Sequence, residues 1–161
     1  MGPSGGVELR GPAKFRFSDI EVEAFIHATE SAEAVERALR TIAPQARVER
    51  TQLGGHFGQN LAALRGRLKE PKQVEAAVER LRVEVGAQLA RQAHRRVDPS
   101  LRLHARFDKQ AAALGQVVLS TRKETDVIKF SVRLKAGGQN REEALAVFRR
   151  LFAPPGLLEE E

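Results

Sequence analysis

The apolar period of the chain switches from two to helical in a single step within residues 101–115, LRLHARFDKQAAALG. Leu101, Leu103, Ala105 and Phe107 alternate with Arg102, His104 and Arg106, the pattern of a strand with one apolar and one basic face. Asp108 then supplies a helix N-cap, residues 109–114 are helix formers, and Gly115 suits the left-handed residue that ends a helix. A chain with this stretch has to bury one side of a strand, leave cations on the other and turn at once into a short helix opened by Lys109. We take it as the organising strand.

A later segment repeats the pattern. Ile128, Phe130, Val132 and Leu134 alternate with Lys129, Ser131, Arg133 and Lys135, and the polar turn before them carries Arg122 and Lys123. Residues 101–135 hold eight Lys or Arg against three Asp or Glu, which accounts for most of the formal net charge of +6. Arginines on a half-buried strand are often merely solvated. Two strands offering cations on one face point instead to an anionic partner, a phosphate backbone above all.

The remaining segments supply the frame. Ile20, Val22, Ala24 and Ile26 alternate with an acidic row, Asp19, Glu21 and Glu23, in a long first strand over residues 15–28. Thr29 or Ser31 caps a helix running to Ile42, which Pro44 stops. A second strand over 47–53 and a third over 60–68, with Arg65 and Arg67 on one face, flank the glycine turn GGHFGQN that holds His56. Pro71 opens the longest helix, with Val74, Val78, Leu81, Val85 and Leu89 as its buried stripe. The cluster Arg91, His94, Arg95 and Arg96 at its end suits either the negative helix terminus or RNA. A short strand over 116–120 and a last helix capped by Asn140 complete the pattern. Hairpins mixed with helices imply an α+β fold: a single domain over 15–153 with a mostly antiparallel sheet and its helices on one face. Residues 1–14, with four Gly and two Pro, read as a disordered arm, and 154–161 as an acidic tail.

The absence of Cys excludes a disulfide framework, a thiol nucleophile and Cys-ligated metal. No GxSxG elbow, P-loop or dinucleotide fingerprint occurs. The acidic row of the first strand reads as cross-strand pairing with arginines in preference to a two-metal site. His56 and His104 can serve as an acid–base pair in RNA cleavage, or as RNA-contacting or structural residues. We expect no catalytic residue, no metal and no cofactor. With no Trp or Tyr, any base stacking has to use Phe, His or Arg planes. No run approaches the ~20 apolar residues of a membrane span and none is of signal-peptide length, so the expectation is a cytoplasmic protein with no membrane partner.

RFDKQAAALG (106–115), HATE (27–30), GGHFGQN (54–60) and DVIKFSVRL (126–134) resemble, in order, an archaeal RNA-binding protein family described as predicted exosome subunits. The resemblance extends over roughly residues 20–151, and it departs from the family where Ala113 stands in place of a common aromatic. It implies a ribosomal-protein-like α+β fold, RNA binding, and an accessory role in RNA processing or degradation, with exosome or ribosome components as partners. The alternative is a ribosome- or protein-associated adaptor that does not recognise RNA itself. The candidate RNA contacts are Arg102, His104, Arg106, Lys109, Arg122, Lys123, Lys129, Arg133, Lys135, His56, Arg65 and Arg67.

Overall fold

Strands with one apolar face pair only where their apolar sides coincide, and this condition selects the register throughout. The computed structural model describes residues 16–53, 61–120, 126–135 and 140–153. Strands β1 (Arg16–Ile26), β2 (Arg47–Leu53), β3 (Leu61–Leu68), β4 (Arg102–Asp108) and β5 (Val127–Lys135) form one sheet in the order β2-β3-β1-β5-β4. Every neighbouring pair is antiparallel. Val22 stands between Gly66 of β3 and Phe130 of β5, and Ala105 lies beyond Phe130, so the apolar rows form one continuous surface. Helices α1 (Ala32–Ile42), α2 (Pro71–Arg91), α3 (Ala93–Arg96), α4 (Lys109–Ala113) and α5 (Arg141–Phe152) complete the α+β fold.

The helix stripes read from the sequence are the buried ones. Val35, Leu39 and Ile42 of α1, with Val74, Leu81 and Leu89 of α2, pack onto the sheet, each contributing about 1.5–3 kcal/mol on burial. The caps are local and form as the residues dictate. Ser31 Oγ accepts from the Ala34 amide at 3.2 Å, Asp108 Oδ1 from Ala111 at 2.9 Å and Asn140 Oδ1 from Glu143 at 2.8 Å. A bulge in β1 between Phe17 and Ile20 lets both face the helices, and Phe17 joins Phe148 and Phe152 with ring centroids 6.0 and 5.8 Å away. Arginines tie the helices to one another: Arg80 donates to the Thr41 carbonyl, and Arg82 to Ala153 O at 3.1 Å.

Four features depart from the sequence reading. The organising strand, β4, is at the border of the sheet, while the acidic strand β1 occupies the centre. The strand expected over 116–120 is reduced to one bridge, Leu119 to Phe107, with Val118 O and Ser120 N bonded to the β4 backbone. Leu101 precedes β4, with φ of 67° in a turn held by Asp98, whose Oδ1 accepts from Ser100 N, Ser100 Oγ and Arg102 N at 2.8–3.0 Å. The last helix, whose sequence offers Leu145, Phe148, Leu151 and Phe152 as its apolar side, instead buries Ala144, Val147, Phe148 and Phe152 and leaves Leu145 and Leu151 only partly covered. His56, Arg122, Lys123, the N-terminal arm and the acidic tail lie outside the described residues.

Candidate nucleic-acid interface

The helices cover one side of the sheet, so the alternate residues of every strand face outward. Register places Arg47, Arg67, Glu21, Ser131 and His104 in one row across the five strands. The next row is Glu49, Arg65, Glu23, Lys129 and Arg106. The basic rows of β4 and β5 are therefore neighbours, Arg106 opposite Lys129 and Arg102 opposite Arg133. A shallow concavity of about 740 Å³ over this side includes Glu21, Arg67, Lys129 and Ser131 in its lining.

The acidic row of β1 divides the face into unequal halves. Arg65 Nε meets Glu23 Oε2 at 2.6 Å, and Arg67 lies 3.3 Å from Glu21 and 3.9 Å from Asp19. Arg102, its side chain only 13% exposed, donates to Asp19 Oδ2 at 2.7 Å and to Ser131 Oγ at 2.7 Å. Burial pushes the Asp19 carboxyl up, but hydrogen bonds from Arg102 and Ser18 and the charges of Arg102 and Arg67 outweigh it and hold the group below its ordinary value. Arginine pairing thus accounts for the carboxylates that a metal-dependent nuclease would need. Arg102 is held within the face, while Arg65 and Arg67 make their pairs with side chains more than half exposed.

On the β4–β5 side Arg106, Lys129 and Arg133 lack such partners among the described residues. Arg106 and Arg133 are exposed, and neither bonds to a carboxylate among the described residues. Lys129 Nζ sits 5.8 Å from the centre of the Phe25 ring, a cation–π contact. His104 Nε2 is 2.7 Å from Asp98 Oδ2, and the same carboxylate holds the turn at residues 98–102. Burial pushes the Asp98 carboxyl up, yet the bonds from His104, Ser100 and the backbone leave it well below the carboxylate range.

Helix α3 adds what the sequence singled out without placing. Its arginines reach the same border of the face, where Arg95, Arg96, Asp98, His104, Arg106 and Lys129 line a second concavity of about 430 Å³. Only contacts across the β4 border identify this grouping; the signal in sequence was a basic cluster at a helix end.

Lys109 departs from the expected set. It is 2% exposed, with Nζ donating to Phe25 O and Glu30 Oε1, both at 3.0 Å, and lying 3.5 Å from Asp126. As the first residue of α4 it follows a strand whose apolar side packs inward, and that turn carries its side chain beneath the end of β1. Lys135 ends β5 opposite Arg16.

A family model described as RNA binding matches residues 19–134. The chain belongs to this RNA-binding family. It is 30% identical over 146 residues to RNA-binding protein PAB1135 of Pyrococcus abyssi (strain GE5 / Orsay), covering 84% of this chain and 94% of that one. Two solved family members share its fold. Mth689, a DUF54 protein from Methanothermobacter thermautotrophicus, superposes with a TM-score of 0.74 at 26% identity over 84% of this chain and 98% of that one. AF2318 from Archaeglobus fulgidus, also of DUF54, gives 0.75 at 25% identity over 86% and 99%. The matched span begins at Asp19 in β1 and ends at Leu134 in β5, so it takes in the strand pairing except the Arg16–Lys135 and Phe17–Leu134 pairs at one end of β1.

Proposed function

We propose that this protein binds RNA backbone through the β4–β5 half of its open sheet face, without catalysing a reaction, as an accessory factor in RNA processing or degradation associated with the exosome. The observation that carries the reading is the contrast between the two halves of one surface. Around β1, Arg65, Arg67 and Arg102 each meet a carboxylate, whereas Arg106, Lys129 and Arg133 have none among the described residues, and His104 stands beside them on Asp98. Uncompensated cations are free to release counterions from a phosphate backbone, and this is the sequence-independent part of nucleic-acid affinity. Arg122, Lys123, Lys135 and His56 belong to the proposal on the sequence reading, Arg65, Arg67 and Arg102 as supports of the face, and Lys109 has no place in it.

The test is RNA affinity as a function of salt. Replacing Arg106, Lys129 and Arg133 together by Ala is expected to lower the log–log salt slope by about two to three units, at just under one per phosphate contact. Arg37, Lys72 and Arg150, exposed on the helix layer, are the matched control, and their replacement should leave the slope close to wild type. Equal losses from both triples would reduce the effect to net charge and remove the sheet face from the account. RNA affinity absent at low salt would favour the adaptor reading.

A further inference from the structure

We propose that Arg95, Arg96, Arg106 and Lys129 form a pocket for the terminal phosphomonoester of an RNA strand. The inference rests on the RNA-binding reading above and adds a particular anion and place. Val97 bridges to Leu103, which draws α3 against the free edge of β4 and brings two helix arginines beside two sheet cations.

The pocket is organised before any ligand arrives. Arg96 is partly buried, and its Nε and Nη2 donate to Gln92 Oε1 at 2.9 and 2.6 Å while Nη1 donates to His104 O at 3.3 Å. These bonds fix the plane of the guanidinium and leave one N–H on each terminal nitrogen without a partner among the described residues. A guanidinium held in this way loses little conformational entropy on capturing an anion.

Charge is also out of balance here. None of the four cations bonds to a carboxylate among the described residues, and Asp98, in the same lining, is engaged by His104 and the turn. Burial, followed by the neighbouring charges of Arg95 and Arg106, disfavours the charged form of Arg96. An anion in the pocket relieves that crowding. A phosphodiester brings a single negative charge, whereas a monoester carries about −1.5 to −2 at neutral pH and offers three strong acceptor oxygens. Four convergent cations match the monoester better. The pocket stands at the border of the sheet with α3 beside it, where a strand lying along the face would reach its end.

The experiment compares short single-stranded RNAs of one sequence bearing a 5′-phosphate, a 3′-phosphate or hydroxyl ends. Wild-type protein is expected to bind at least one phosphorylated end about tenfold more tightly than the hydroxyl form. Arg95→Gln should abolish that preference. Gln92→Ala, which retains every charge but releases Arg96, should also abolish it while leaving the salt slope for hydroxyl-ended RNA unchanged. Thermal midpoints establish that both variants are folded. Equal affinity for all three RNAs would overturn the pocket and leave RNA binding by the face intact. A preference that survives both substitutions would place the end elsewhere and also overturn it. Should no RNA bind, the underlying reading fails, and titration with inorganic phosphate then decides the pocket: backbone amide shifts confined to residues 95–97, 106 and 129 support an anion site, and their absence sinks it.

Discussion

Lys109 shows how far a residue's role depends on where its side chain ends. By pattern it is a cation at the first position of a short helix beside a basic strand; in the fold its ammonium joins Glu30, beyond the end of β1, to the start of α4. Burial pushes the Glu30 carboxyl up, but the amide of His27 and the ammonium of Lys109 outweigh it and hold the group low. Removing one member of a buried pair leaves the other desolvated and unmatched. Lys109→Ala should therefore destabilise the fold by about 3–5 kcal/mol in urea unfolding. Its salt slope for RNA should match wild type. A stable variant with a reduced slope would return Lys109 to the interface.

At the scale of elements, the junction of α2 with α5 is the most constrained. The backbone leaves helical geometry at Val85, with φ of −137°, and the next residue is buried Gly86. A Cβ built there would lie 2.2 Å from the carbonyl oxygen of Phe152, where the end of α5 crosses. Helix propensity alone favours Ala over Gly by up to ~1 kcal/mol. Backbone cannot yield as a side chain can, so the clash decides the sign. Gly86→Ala is expected to lower stability by about 1–3 kcal/mol in denaturant unfolding. A rise in the midpoint would mean that the two helices do not meet so closely. In the same way, the absence of a full strand at 116–120 reflects β4: its edge already accepts from Asp98 at one end, so only Leu119 and its flanking groups find partners at the other.

For the molecule as a whole, charge is arranged by strand order. The central strand β1 carries the carboxylates, and arginines converge on it from β3 and β4. Asp19, Glu30 and Asp98 all have folded-state values below their ordinary ones of 3.8 or 4.5. A group whose folded value is lowered stabilises the fold above its unfolded value, and that stability disappears as pH falls toward the folded one. The urea midpoint should thus be nearly level from pH 7 to about 5 and decline steadily below about 4.5. Asp98→Asn should flatten that acid limb, because it removes one of the linked protons. A midpoint that rises on acidification would contradict the arginine–carboxylate lattice.

Sequence by itself determined what is local. The apolar rows of β1, β4 and β5, the stripes of α1 and α2, the caps at Asp108 and Asn140, a cap at Thr29 or Ser31 that the fold resolves to Ser31, and the left-handed stop at Gly115, with φ of 86°, all follow from neighbours a few residues apart. The placement of Arg106 and Lys129 on the side away from the helices is legible for the same reason, since alternation assigns a face once the other is packed. Tertiary structure decided which segments became neighbours. Arg102 finds Asp19 across 83 residues, Lys109 finds Glu30 across 79, and the arginines of α3 meet Lys129 only because β4 and β5 pair at the border of the sheet. Periodicity records which side of a strand is wet, but it carries no information about the strand that lies beside it. Pairing order depends on the packing of the whole core, and so which arginines of the face meet the β1 carboxylates belongs to the fold.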